Sequence, residues 1–352
     1  MNTKNAISAV LLALSAILLT LIPNAHLAQS VSGMHPAITS TTSRLVQIGN
    51  LAGAPVHAAV QDHYAYLIDE ARRITVVDIQ TPTMPFTVGV GSYNECYSPP
   101  HCFPWYPAMA RLVISGTYLY VPLFNLRIVD VSDPTYPIEA GSTPQHYLSA
   151  VALKGQLAYA INDRDYLDVI DISNPLAPTE ILTYPVPGLG YYMALNGDYL
   201  YISRGNAVHV LNTSKPLSLT EVSSYPINTI SGGPLAVTNQ YAYVSEDTTL
   251  HVLDISNPTQ ITERGQYTAS SFIWSVIAAE PYVYVFTGDT GTVHTLDVSD
   301  PAHPTEIASF LFPNDRYNDM TDANGYLFVA GGSGLTILRL MTHLVILPLV
   351  WK

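Results

Sequence analysis

Val77-Asp78-Ile79-Gln80-Thr81-Pro82, Asp130-Val131-Ser132-Asp133-Pro134, Asp171-Ile172-Ser173-Asn174-Pro175, Asn212-Thr213-Ser214-Lys215-Pro216, Asp254-Ile255-Ser256-Asn257-Pro258 and Asp297-Val298-Ser299-Asp300-Pro301 are six versions of one signature, each closing a short apolar run. From the third copy onward their first residues stand 41, 42 and 43 positions apart. That period is too long for most helical repeats and suits a four-stranded propeller blade.

Working outward, each signature is preceded by a Tyr-centred strand: Ala65-Tyr66-Leu67-Ile68, Leu119-Tyr120-Val121, Ala158-Tyr159-Ala160-Ile161, Leu200-Tyr201-Ile202, Ala242-Tyr243-Val244 and Val283-Tyr284-Val285-Phe286. Leu327-Phe328-Val329-Ala330 begins a seventh copy. Another apolar stretch stands before each of these, as in Ala150-Val151-Ala152-Leu153, and a further strand follows each signature, as in Pro137-Ile138-Glu139-Ala140-Gly141. Turn pairs such as Lys154-Gly155, Asn196-Gly197 and Asn324-Gly325 separate them, so each copy reads as an antiparallel meander. At the ends, Arg44 to Asn50 reads as a fourth strand with nothing before it, and Leu335 to Leu340 as a third strand with nothing after it. One orphan completes the other, and a ring closed in this way hides the sheet edges that an open stack would expose. The sequence predicts an all-β, seven-bladed propeller of four-stranded antiparallel blades, closed by the N-terminal strand completing the last blade.

Asp78, Asp130, Asp171, Asp254 and Asp297 each end a strand before a turn. A carboxylate there accepts hydrogen bonds from the following backbone N–H groups, and the Pro fixes φ for the turn that follows. Their recurrence marks them as turn-formers, since a catalytic site needs one constellation and not six. Asn212 in place of the Asp is expected to loosen one turn. The stretch Leu126-Arg127-Ile128-Val129-Asp130-Val131-Ser132-Asp133-Pro134 resembles the LVIVD repeat of secreted and surface β-propeller proteins, and the resemblance runs from Arg44 to Leu340. It implies a blade type and an extracellular setting, with no reaction, cofactor or catalytic residue attached. The seventh copy departs from it, with Arg339 where an Asp would stand and no following Pro.

Residues 1–30 lie outside the repeat. Lys4, the uncharged run from Ala6 to Ile22 and the small residues of Ala28-Gln29-Ser30 read as a signal peptide, the alternative being an uncleaved membrane anchor. Residues 31–43 read as a linker, 44–340 as the propeller and 341–352 as an apolar tail too short to span a bilayer. The expected location is secreted or at the cell surface, with membrane contact only through an uncleaved N-terminal segment. With 48% hydrophobic and 12% charged residues, 24 tyrosines and 26 prolines, the chain is not disordered by composition. A formal charge of −13 without any Lys or Arg run sets nucleic-acid binding aside.

His209, His251 and His294 occupy the same third-strand place in successive copies, three residues before the signature. Neighbouring blades hold such positions about 10 Å apart, too far for shared zinc ligation, so packing or hydrogen bonding is their expected role. Cys96 and Cys102 lie in an insert, residues 93–107, that stretches the first signature spacing to 52. In an exported chain they read as a disulfide holding that loop, worth about 2 kcal/mol; a metal site with His101 is the alternative. The insert joins the last strand of one blade to the first of the next, and in propellers those connections gather around the channel mouth. The equivalent connections carry further rings, and Trp105, Tyr106, Tyr147, Tyr192, Trp274 and Tyr317 are the candidate ligand contacts, large surfaces that lose little side-chain entropy on binding. Asn162, Asp163 and Asp165 lack the Gly and distal Glu of a dedicated calcium loop. No nucleophile elbow and no phosphate-cradling glycine loop is present. No cofactor, metal or catalytic residue is expected. The reading is a non-enzymatic binding module for an extracellular carbohydrate or protein. Its alternatives are an extracellular hydrolase or lyase with a site at the channel mouth, and a structural surface repeat. A His and a carboxylate, or two carboxylates, converging within about 6 Å at the mouth would favour the enzyme.

Overall fold

The computed structural model describes residues 38–92, 111–122, 124–144, 147–186, 188, 190, 192–288, 291–312 and 317–346. Residues 42–343 form one compact unit; of a second unit, residues 1–41 with 344–352, only 38–41 and 344–346 are described, in strand. The proposed signal segment, most of the linker, the end of the tail, and Cys96, Cys102, Trp105 and Tyr106 lie outside the described residues.

Seven four-stranded sheets make up the ring. Blades 1 to 6 are continuous, at residues 55–92, 113–142, 148–185, 192–226, 235–268 and 273–311. Blade 7 takes its inner three strands from Tyr317–Ala323, Tyr326–Gly331 and Gly334–Ile346 and its outermost from Ile38–Leu51. The shared blade expected from the two orphan strands is therefore the observed closure. First strands of neighbouring blades contact one another all round the ring, which places them at the axis.

Blade-to-blade packing explains the Tyr-centred strands. Seven apolar clusters fill the ring, one per interface. Because side chains alternate along a strand, each second strand feeds two of them. Tyr159 and Ile161 pack toward blade 4 while Ala158 and Ala160 pack toward blade 2. Tyr243 faces blade 6, and Ala242 and Val244 face blade 4. The central ring, Tyr in blades 1 to 6 and Phe328 in blade 7, points to the following blade and smaller or branched residues to the preceding one. Tyr159, Tyr201 and Tyr243 are 0% exposed.

The signature makes the turn it predicts and also seats the next blade. Asp78, Asp130, Asp171, Asp254 and Asp297 each accept the backbone N–H two residues on, at 2.8–2.9 Å. Asn212 keeps the same bond, Ser214 N to Asn212 Oδ1 at 2.9 Å, so its amide oxygen replaces the carboxylate without loosening the turn. A second such turn follows at Asp133, Asn174, Asn257 and Asp300. The chain then leans on the fourth strand of the preceding blade, where glycines make room. A Cβ on Gly89 would stand 2.1 Å from the Pro134 carbonyl oxygen, and one on Gly141 2.4 Å from that of Pro175.

Candidate functional site at the channel mouth

One register position per blade sits near the start of the first strand, opposite the residue two beyond the central Tyr, or beyond Phe328 in blade 7. Pairing puts His57 opposite Ile68, Ala150 opposite Ile161, Tyr192 opposite Ser203, Ser275 opposite Phe286 and Asp319 opposite Ala330. Counting back from the Val113–Tyr120 pair places Arg111 opposite Pro122, and from Leu235–Val244 places Pro234 opposite Ser245. The layer therefore reads His57, Arg111, Ala150, Tyr192, Pro234, Ser275, Asp319 around the mouth. Five of its seven members carry polar side chains on strands that are otherwise largely apolar.

Arg111 ties this layer together. Its Nη2 donates to Ser275 Oγ at 3.0 Å and to the Val276 carbonyl at 3.3 Å, and its Nε lies 4.0 Å from Asp319 Oδ1. Blades 2 and 6 stand three places apart in the ring, so this side chain crosses the channel rather than following its wall. Asp319 is 5% exposed and accepts backbone N–H groups from Ala58 of blade 1, at 3.2 Å, and from Met320, at 2.9 Å. The Ala58 bond clips blade 7 to blade 1, and the two together hold the carboxylate that faces Arg111. His57, 3% exposed, brings Nδ1 to 3.5 Å from Asp319 Oδ2, beyond hydrogen-bond strength, and its ring nitrogens make no hydrogen bond among the described residues. Burial pushes the Tyr192 phenol up, with the Arg111 charge pulling it back, so the two side chains share one electrostatic neighbourhood.

Below the layer the channel opens into a cavity of about 300 Å³, roofed by Arg111, Tyr192 and Asp319. Beneath these polar groups its lining mixes small residues, Ala58, Ala150, Ala152 and Ala194, with larger apolar ones, Met193, Leu235, Ile277 and Met320, and Thr321 adds a hydroxyl-bearing side chain. Small side chains on the innermost strands are what leave the space open.

Of the residues expected to contact ligand, Tyr192 belongs to this layer. Trp274, one residue before Ser275, is 54% exposed and meets Phe272 edge-on at 5.9 Å. The absence of a side chain at Gly288 gives it room, since a Cβ there would stand 1.9 Å from the indole nitrogen. Tyr147 belongs to a different group, with Phe124 at 4.7 Å and Arg72 stacked on Phe124 at 4.8 Å. Tyr317 begins the first strand of blade 7, and its side chain lies outside the described residues. His57, Arg111 and Ser275 were not singled out from the sequence. Aligning the copies two residues beyond each central Tyr, and stepping to the paired strand, is the signal that finds them.

The repeated histidines stay apart. His209, His251 and His294 each place Nδ1 on a Glu of the fourth strand of their own blade: Glu221 and Glu263 at 2.9 Å, Glu306 at 3.1 Å. Neighbouring blades join in where Tyr225 donates to Glu263 at 3.1 Å and Tyr267 to Glu306 at 2.7 Å. Asn162 turns its carbonyl oxygen onto the backbone N–H groups of Arg164 and Tyr166, which closes that loop on itself.

The LVIVD-repeat profile matches residues 53–94, 109–144, 147–186, 191–226, 233–269 and 273–311. The chain belongs to the LVIVD-repeat family. The six LVIVD repeats coincide with blades 1 to 6, and the shared blade falls outside them, as Arg339 in place of the signature Asp foreshadows. No curated protein matches the chain. Among solved structures it is similar to the β-propeller domain of Myceliophteria thermophila Cps50 (Swd1), at 12% identity and TM-score 0.64 over 84% of this chain and 99% of that one. It is also similar to the computationally designed Ika8 protein, at 12% identity and TM-score 0.58 over 85% and 100%. Likeness at this identity concerns the fold alone.

Proposed function

We propose that this LVIVD-repeat propeller is an extracellular, non-enzymatic binding module that takes a carbohydrate or protein ligand on the face around its channel mouth. The observation that carries the reading is the Phe272–Trp274 pair. Both rings are about half exposed, 45% and 54%, at the rim next to the residue that anchors Arg111. Exposed rings of this size contribute little to the fold and supply the broad, rigid contact area that ligand faces use. A cavity beneath the mouth favours binding over a purely structural role. The apolar N-terminal run from Ala6 to Ile22 supports export.

The hydrolase or lyase reading has one specific observation in its favour, the His57–Asp319 approach at 3.5 Å. Both side chains are nearly closed to solvent, at 3% and 6%, and Asp319 already accepts two backbone N–H groups, so the pair is built as a clip. A glycan and peptide array with the full protein and with Trp274→Ala separates these readings. Selective binding that disappears in the variant supports the module. Binding unchanged by Trp274→Ala moves the ligand off this face, and turnover of a chromogenic glycoside or ester that is lost in His57→Ala would establish the enzyme instead.

A further inference from the structure

The channel mouth joins two features that select one kind of molecule. Its polar layer offers a fixed guanidinium, and the space beneath is lined mainly by alanine, valine, methionine, leucine and isoleucine, with Thr321 beside them. Arg111 is held from one side only: Nη2 serves Ser275 and Val276, Nε stands 4.0 Å from Asp319, and Nη1 makes no hydrogen bond among the described residues. The side chain remains 35% exposed, within a cavity it helps to line. A guanidinium whose plane is already fixed loses little freedom on pairing, and with both Nη2 hydrogens engaged it is Nη1 that keeps N–H donors for a carboxylate oxygen. Tyr192, held in its neutral form by burial, stands in the same roof and keeps a phenolic donor for the anion.

We propose that the channel of this propeller binds a small carboxylic acid with an apolar tail, its carboxylate on Arg111 and Tyr192 and its tail in the alanine-walled shaft. The inference rests on reading the mouth as a binding face and adds to the carbohydrate or protein ligand of the rim a second, small ligand in the channel. Desolvation decides between carboxylate and phosphate. Arg111 already faces Asp319, so one shared cation must offset the cost of taking the anion out of water, and that cost is far larger for a dianion than for a monoanion. Size sets the scale. About 300 Å³ is at the small end of ligand pockets and holds roughly ten water volumes, enough for a chain of some six carbons or one aromatic ring.

The test is thermal shift and calorimetric titration of the full chain with hexanoate, hexanamide, acetate and inorganic phosphate at matched ionic strength. Hexanoate is expected to raise the melting temperature and to bind at least tenfold more tightly than hexanamide, acetate or phosphate. Arg111→Met should weaken hexanoate at least tenfold, and Tyr192→Phe about fivefold with the fold intact, which keeps the test open if the Arg111 variant misfolds. Leu217→Ala, at an exposed position in the blade 4 signature turn, should leave hexanoate binding unchanged. Equal response to hexanamide, or hexanoate binding indifferent to both Arg111→Met and Tyr192→Phe, overturns the proposal. Array binding that depends on Trp274 alongside silence toward hexanoate also overturns it and leaves the rim as a binding face.

Discussion

Asp254 shows how much one signature residue does. Its carboxylate accepts the Ser256 hydroxyl at 2.6 Å and backbone N–H at 2.9 Å, and the Arg264 guanidinium at 2.5 Å. These partners, the Ser256 hydroxyl first and Arg264 next, pull its pKa down to about 2. A carboxylate depressed in the folded state stabilises above its unfolded value, about 3.9, and that contribution is lost as pH falls from there through about 2. Asn212 demonstrates that an amide oxygen keeps the turn. Asp254→Asn is therefore expected to fold normally and to lose only the charged part of the interaction. The cost should be about 0.5–1 kcal/mol near pH 7, since Arg264 is largely exposed and the pair is screened. Urea unfolding across pH should show the gap between wild type and variant shrinking between about pH 4 and pH 2; a gap constant over that range would remove the carboxylate's ionisation from the account.

At the scale of the element, the blade is legible in the sequence because its physics is local and repeated. Period-two alternation buried on both faces, a Tyr toward the following blade and an Asp two residues before a donated N–H recur in nearly every copy. The mouth layer is illegible for the complementary reason. It takes a single residue from each blade, some forty positions apart, and His57, Arg111, Tyr192, Ser275 and Asp319 share a register but no chemistry. No short spacing announces such a set, whereas the rim aromatics Tyr192 and Trp274 could be picked out because rings in inter-blade connections stand out one at a time. The blade also carries its own stacking device. Ser223 Oγ donates to the Pro258 carbonyl at 2.5 Å in the place where Gly89 and Gly141 simply make room for the next turn. Gly89→Ala should therefore force the Pro134 turn outward and cost about 1–3 kcal/mol, while Ser223→Ala loses one hydrogen bond at about 0.5–1.5 kcal/mol. Chemical denaturation of both variants checks the order; Gly89→Ala no less stable than wild type would show that the inter-blade contact yields freely.

The whole ring depends on a strand borrowed from the other end of the chain. Leu45 is 3% exposed in the cluster between blades 6 and 7, beside Leu338, and Ile48 and Leu51 pack on the cluster between blades 7 and 1 with Phe328 and Ile337. The Leu51 carbonyl lies so close to Gly334 that a Cβ there would approach it to 2.0 Å, and Thr336 meets the Asn50 side chain at 3.4 Å. Without that strand the third strand of blade 7 becomes an unpaired edge, and two clusters lose one wall. Asp319, whose bond from Ala58 clips blade 7 to blade 1, then sits at the junction that has been weakened, and through it so does the anchoring of Arg111. Deleting Arg44 to Asn50 should consequently do three things together: lower the melting temperature, make the protein associate through its exposed edge, and abolish ligand binding at the mouth although no mouth residue is touched. Light scattering, a melting curve and hexanoate titration on the truncated chain test this, and adding back a peptide of the Ile38–Leu51 sequence should reverse all three effects. A truncated protein that stays monomeric with unchanged melting would mean that the ring closes without its borrowed strand.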